Sequence, residues 1–181
     1  MLNRPDEINR TGRQSWAILL LCATLIAVID QASKAAVADK LVIGQSWTPI
    51  PALASIFEIT RSVNSGAAFG LFQGANLMLL LLSLVMGIGI VIYFRRLPTT
   101  LPVQIVLLGI LLGGVIGNAL DRLRLGTVVD FIHWQLPGVI SNVSNLADHA
   151  IVLSVIGLLI YQWRIGLRPE QAQHTPPKLK E

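Results

Sequence analysis

Four stretches of this 181-residue chain are long and apolar enough to cross a lipid bilayer, and that leaves few folds open. A span needs roughly 20 mostly apolar residues. The windows run from Trp16 to about Val37, from about Leu71 to Phe94, from about Pro102 to Leu120, and from Ala147 to Trp163. Hydrocarbon offers no partner to a backbone N–H or C=O, so each window must be a helix. The composition agrees: 53% hydrophobic residues, 13% charged residues and a mean hydropathy of +0.64 exclude an ordinary soluble domain. The expectation is an all-α membrane protein of four transmembrane helices, one domain over residues 1–165. Residues 1–15 read as a polar lead and residues 166–181, with Pro169, Pro176 and Pro177, as a disordered cytoplasmic tail.

The basic residues orient the spans. Arg4, Arg10, Arg13, Arg95, Arg96, Arg164, Arg168, Lys178 and Lys180 fall on one side, leaving Lys34, Lys40, Arg61, Arg122 and Arg124 on the other. By the positive-inside rule both termini are cytoplasmic, and Asp30, Asp121, Asp130 and Asp148 gather at the outer face. Topology thereby accounts for a pI of 9.7, and nucleic acid is not implied as a partner. The lone Cys22 can form no internal disulfide. Ala36-Val37-Ala38 has the small-x-small form of a cleavage site, but Asp6, Glu7 and Lys34 argue for a retained span.

Between Lys40 and Gly70 the chain is too long and mixed for a tight turn. Phe57-Glu58-Ile59-Thr60-Arg61-Ser62-Val63 alternates with period two, which predicts a small extracytoplasmic β element between helices 1 and 2. Asn64-Ser65-Gly66-Ala67-Ala68-Phe69-Gly70 follows, either a turn into the next helix or a place where Asn64 meets a substrate backbone. In the third helix Gly109, Gly113 and Gly117 stand at i, i+4 and i+8, the spacing of a tight helix contact.

Carboxylates at the lip of a membrane are costly unless paired or used. Asp30 and Lys34, at i and i+4, can form an ion pair or brace an internal site. Asn145 with Asp148 has the spacing of a helix cap, and Asp121-Arg122 that of a local ion pair. Asp130, within Val128-Val129-Asp130-Phe131-Ile132, has no basic neighbour nearer in sequence than Arg124. If that strand-like segment dips toward the helix tops, Asp130 and Asp148 converge and share one proton, since like charges in contact cannot both stay ionised. The ionised member can then activate water while the protonated one polarises a carbonyl, which hydrolyses an amide without a metal. His133 and His149 could add metal ligands, but no His-x-x-x-His spacing occurs. A proton-coupled transporter using Asp30, Asp121 and Asp148 as a relay is the alternative, although no internal repeat is visible. A non-enzymatic assembly partner rests on the glycine face alone.

Five segments together resemble the motifs of the bacterial lipoprotein signal peptidase family, signal peptidase II. They are Asp30-Gln31-Ala32-Ser33-Lys34, Asn64-Ser65-Gly66-Ala67-Ala68-Phe69, Gly113-Gly114-Val115-Ile116-Gly117-Asn118-Ala119-Leu120-Asp121-Arg122, Val129-Asp130-Phe131 and Asn145-Leu146-Ala147-Asp148. The resemblance implies a four-helix inner-membrane aspartic endopeptidase, without cofactor or metal, whose catalytic pair lies on the periplasmic side. It implies that Asp130 and Asp148 are catalytic and that Asn64, Gly66, Gly114, Asn118, Asp121, Arg122 and Asn145 bind substrate or shape the site. Asp30 and Lys34 match supporting positions. The implied partners are membrane lipids and prolipoproteins, cut before a cysteine that carries diacylglyceryl, and the implied state is a monomer. Two positions depart from the pattern: Ser144 where an aromatic usually precedes the last Asn, and His149 where a small residue often follows Asp148. Leu21 before Cys22 lacks the small residue of a lipidation motif, which makes the chain resemble the protease and not its substrate.

Overall fold

The computed structural model describes residues 5–66, 74–97, 102–136 and 138–166. The four windows are helices: α1 (Pro5–Lys40), α2 (Asn76–Arg95), α3 (Pro102–Leu125) and α4 (Leu146–Gly166). Each is long and apolar enough to span a membrane. Helix α1 begins at Pro5, within the polar lead. Helix α3 likewise runs past Leu120 to Leu125. The tail beyond Gly166, and the start expected for the second span at 71–73, lie outside the described residues.

Helix α3 is the centre of the bundle and packs against α1, α2 and α4. Of its span window 61% is buried, against 28%, 17% and 17% for α1, α2 and α4, so the outer three turn most of their surface to lipid. Glycines allow the approach. A Cβ on Gly109 would lie 2.8 Å from the Leu19 carbonyl oxygen, and one on Gly113 would lie 2.6 Å from that of Ala23. At Gly117 it would meet Asp30 Oδ2 at 2.6 Å, so the predicted glycine face is the seam with α1. Gly114 points to α4 instead, where a Cβ would stand 2.6 Å from the Ala147 carbonyl oxygen. The seam continues into a core of Leu19, Ala23, Ile105, Leu108, Leu112 and Val115, with Ile90 and Phe94 of α2.

The β element is larger than expected. Strands β1 (Ser46–Trp47) and β2 (Phe57–Asn64) lie between α1 and α2, as predicted, but β3 (Val128–Leu136) and β4 (Ile140–Ser144) come from between α3 and α4. They form one antiparallel sheet in the order β1-β2-β3-β4. Pairing sets Ser62 opposite Asp130 and Asn64 opposite Val128, with a register shift between Ile59 and Ser62. That register carries Asn64 alongside Asp130, and the junction of β4 with α4 carries Asn145, with Asp148 in the first turn of α4, to the same place.

Candidate active site

The site is built on a buried cation. Lys34 is 3% exposed, and its ammonium lies 2.8 Å from Asp30 Oδ2, 2.9 Å from Asp121 Oδ2 and 3.1 Å from Asn118 Oδ1. An ammonium has three donors and no acceptor, so all its hydrogens are matched. The i, i+4 pair expected within α1 forms. Asp121, however, pairs with Lys34 and not with Arg122, whose Nη2 donates to the Gly66 carbonyl at 3.1 Å. Lys34 meets Asp121 as a buried, fully bonded ammonium, while the half-buried Arg122 turns to the Gly66 carbonyl at the cavity.

The same carboxylates hold backbone. Asp30 Oδ1 accepts the Ala147 N–H at the start of α4 (3.0 Å), and Asp121 Oδ2 accepts the Val129 N–H in β3 (3.1 Å). Lys34, which the resemblance made a supporting residue, therefore ties together α1, α3, α4 and β3. Gln31 adds a cross-brace that sequence reasoning missed: its Nε2 donates to Asp121 Oδ1 (2.9 Å) and to the Gly117 carbonyl (3.2 Å). The only hint was its place inside the Asp30–Lys34 segment.

Asparagines stand between this brace and the two remaining aspartates. Asn118 accepts from Lys34 and donates Nδ2 to Asp148 Oδ1 at 2.7 Å. Asn145 is fully buried; its Nδ2 donates to Asp130 Oδ1 at 2.6 Å and to Asn118 Oδ1 at 3.2 Å. Its Oδ1 accepts the Asp148 N–H at 2.9 Å while Asp148 Oδ2 accepts the Asn145 N–H at 3.3 Å. That reciprocal pair is the helix cap read from the spacing, and it coexists with the network. Asn64 Nδ2 donates to Asp130 Oδ2 at 3.0 Å, and its Oδ1 is fixed by the Gly66 N–H at 2.9 Å.

Asp130 and Asp148 line one cavity of about 450 Å³ together with Asn64, Gly66, Asn118 and Arg122. Trp134, Val143, Ile151 and Val152 supply its apolar wall. Asp130 is 2% exposed. Burial, and then the neighbouring charge of Asp148, raise its pKa to about 6, against hydrogen bonds from Asn64 and Asn145 and the charge of Lys34 that pull it down. Two carboxylates lining one cavity can serve as an acid and base pair.

Comparison with known proteins gives this geometry a family. Residues 22–164 match the family described as signal peptidase (SPase) II. The chain belongs to the signal peptidase II family. It is 36% identical over 143 residues to the lipoprotein signal peptidase of Anoxybacillus flavithermus, covering 79% of this chain and 83% of that one. With the lipoprotein signal peptidase of Moorella thermoacetica it shares 37% identity over 158 residues, 87% of this chain and 98% of that one. A bacterial membrane enzyme solved by the in meso method superposes with a TM-score of 0.74 at 27% identity, covering 90% of this chain and 94% of that chain. This member of the family is a membrane-embedded aspartic protease with four spans and a four-stranded sheet.

Proposed function

We propose that this signal peptidase II removes the signal peptide from diacylglyceryl-modified prolipoproteins, cutting just before the lipidated cysteine with the dyad Asp130 and Asp148. The observation that carries the assignment of the dyad is that Asn145 caps Asp148 and donates to Asp130, so that both carboxylates open on one cavity.

Asp130 serves as the general acid and Asp148 as the general base. Asp148 takes a proton from a water held between the two carboxyls, and the water oxygen bonds to the scissile carbonyl carbon. Asp130 gives its proton to the carbonyl oxygen, which leaves a neutral gem-diol. Asp148 then returns its proton to the amide nitrogen as the C–N bond breaks, and Asp130 recovers one from a diol hydroxyl. Asn118 and Asn145 hold Asp148, Asn64 and Asn145 hold Asp130, and Arg122 and Gly66 at the cavity edge are placed to meet substrate backbone. Asp30, Lys34 and Asp121 act at one remove, by fixing the elements that carry these groups. The enzyme works as a monomer in the bacterial inner membrane, with both termini cytoplasmic and the cavity on the periplasmic side.

The test is incubation of purified protein with a diacylated prolipoprotein peptide, with and without a chelator. Asp130→Asn and Asp148→Asn each abolish release of the signal segment while the protein inserts and folds, the chelator has no effect, and an Asn variant that processes normally would falsify the dyad.

A further inference from the structure

A second cavity, of about 540 Å³, lies on the other side of strand β3 from the dyad. Successive residues of that strand line the two: Asp130 the catalytic one and Phe131 this one. One wall is a single face of α1, made by Ser33, Ala36, Val37 and Lys40 at i, i+3, i+4 and i+7, and the sheet closes the rest with Trp47 and Ile59. Its volume falls within the roughly 300–1,000 Å³ of ligand pockets.

Its depth and its donors define an occupant. The apolar helix Gly12–Lys40 has 29 residues, more than the roughly 20 that cross the hydrocarbon. The edge strand β1 beside its last turns cannot sit in hydrocarbon, because its free backbone groups would go unbonded. The cavity therefore opens at the boundary of tails and headgroups, where the 59%-exposed Trp47 suits the interfacial belt. Its mouth presents donors: the Lys40 ammonium, which makes no ion pair among the described residues, the Trp47 indole N–H, and the Gln45 amide, whose Oε1 already accepts the Val42 N–H at 3.0 Å. No acidic side chain lines it. Donors over an apolar wall fit a phosphodiester above an acyl chain. The diacylglyceryl of the peptidase substrate is uncharged and would leave them unmatched. We infer that this cavity binds one anionic phospholipid of the surrounding leaflet, with an acyl chain against Ala36, Val37 and Phe131 and its phosphate on Lys40 and Gln45.

The inference does not rest on the dyad and is tested by binding. Full-length protein, stripped of lipid in neutral detergent, is titrated with phosphatidylglycerol, with phosphatidylcholine of the same chains and with inorganic phosphate, and bound molecules are counted by native mass spectrometry. One phosphatidylglycerol is retained in preference to phosphatidylcholine, and phosphate does not displace it. Ala36→Trp fills the cavity and weakens that binding roughly tenfold, as loss of contact to about two methylenes would. Lys40→Gln, at an exposed position that leaves the fold intact, weakens it roughly fivefold, the contribution of one basic residue at an anionic surface. Equal retention of the two lipids, displacement by phosphate alone, or a dimer in place of the lipid complex overturns the site. If Ala36→Trp does not fold, Lys40→Gln decides alone, and unchanged phosphatidylglycerol binding by that variant overturns it.

Discussion

Asp130 illustrates how far one carboxyl can be moved by where it sits. Its pKa in the folded protein is about 6, above the ordinary 3.8, so the folded state holds the proton more tightly than the unfolded chain. Its contribution to stability is therefore complete below pH 3.8 and is lost as pH rises through about 6. At neutral pH the loss amounts to about 3 kcal/mol. Thermal unfolding of the parent should consequently show a fall between about pH 3.8 and about pH 6 that is missing from Asp130→Asn. The variant does not gain the full difference, because Asn64 and Asn145 both donate to Asp130, and the asparagine's single oxygen can accept from only one of them while its NH2 accepts from neither. Processing should decline at higher pH than stability does, with kcat/KM falling above about pH 6 as Asp130 ionises. A profile flat from pH 5 to 8 would remove Asp130 from the role of acid. His149, one of the two departures from the family pattern, also lines the cavity, and its Nδ1 lies 2.8 Å from the Asn145 carbonyl oxygen. A carbonyl only accepts, so Nδ1 carries the hydrogen, and Nε2 is the ring atom left for a substrate group. Loss of one such hydrogen bond, about 1 kcal/mol, should raise KM roughly fivefold in His149→Ala with little change in kcat. His149→Gln, which keeps an acceptor, should recover most of it; equal KM values in all three proteins would leave the imidazole without a part in binding.

Between elements, contact distance decides what a residue tolerates. Gly113→Ala puts a Cβ against the Ala23 carbonyl oxygen and Ile26, both on α1, and helix backbone cannot yield as a flexible side chain can. It should cost about 1–3 kcal/mol, the penalty of an overpacked core. Gly89→Ala, on a part of α2 with nothing within 4 Å of the new atom, should be neutral or stabilising by up to about 1 kcal/mol. The difference between the two melting temperatures in detergent measures the seam, and equal values would mean that α1 and α3 are free to separate. This seam was legible in the sequence because its glycines repeat with the helix period. So were the Asp30–Lys34 pair and the Asn145–Asp148 cap, whose partners lie within one helical turn. Strand β4 was not. Ile140-Ser141-Asn142-Val143-Ser144 is too polar to announce itself and becomes a strand only by pairing with β3. A signal for the hairpin was present: Pro137-Gly138 favours a turn, and Gly138 has φ 75° where the Val139 N–H bonds the Leu136 carbonyl. The pairing of Lys34 with Asp121 was hidden for another reason. It depends on how α1 and α3 align, which no local spacing encodes, and the adjacent Arg122 offered a simpler partner.

At the scale of the whole molecule, the brace, the dyad and the sheet all lie at one end of the bundle, which makes orientation in the membrane a question about mechanism. Sheet edges and a wet cavity belong outside the hydrocarbon. The basic residues at the opposite end, Arg13, Arg95, Arg96 and Arg164, should hold that end in the cytoplasm. With Cys22→Ser removing the native thiol, single cysteines can report each end. Val139 is 77% exposed in the turn between β3 and β4, and Gln14 is exposed near the start of the first span. A thiol reagent that cannot cross the membrane should label Val139→Cys in intact spheroplasts and Gln14→Cys only after lysis. Because all the polar chemistry sits at one end, reversal of this pattern could not be absorbed by a small shift of the bundle. It would put the dyad in the cytoplasm, where a signal peptide whose cleavage site lies at the outer leaflet could not reach it.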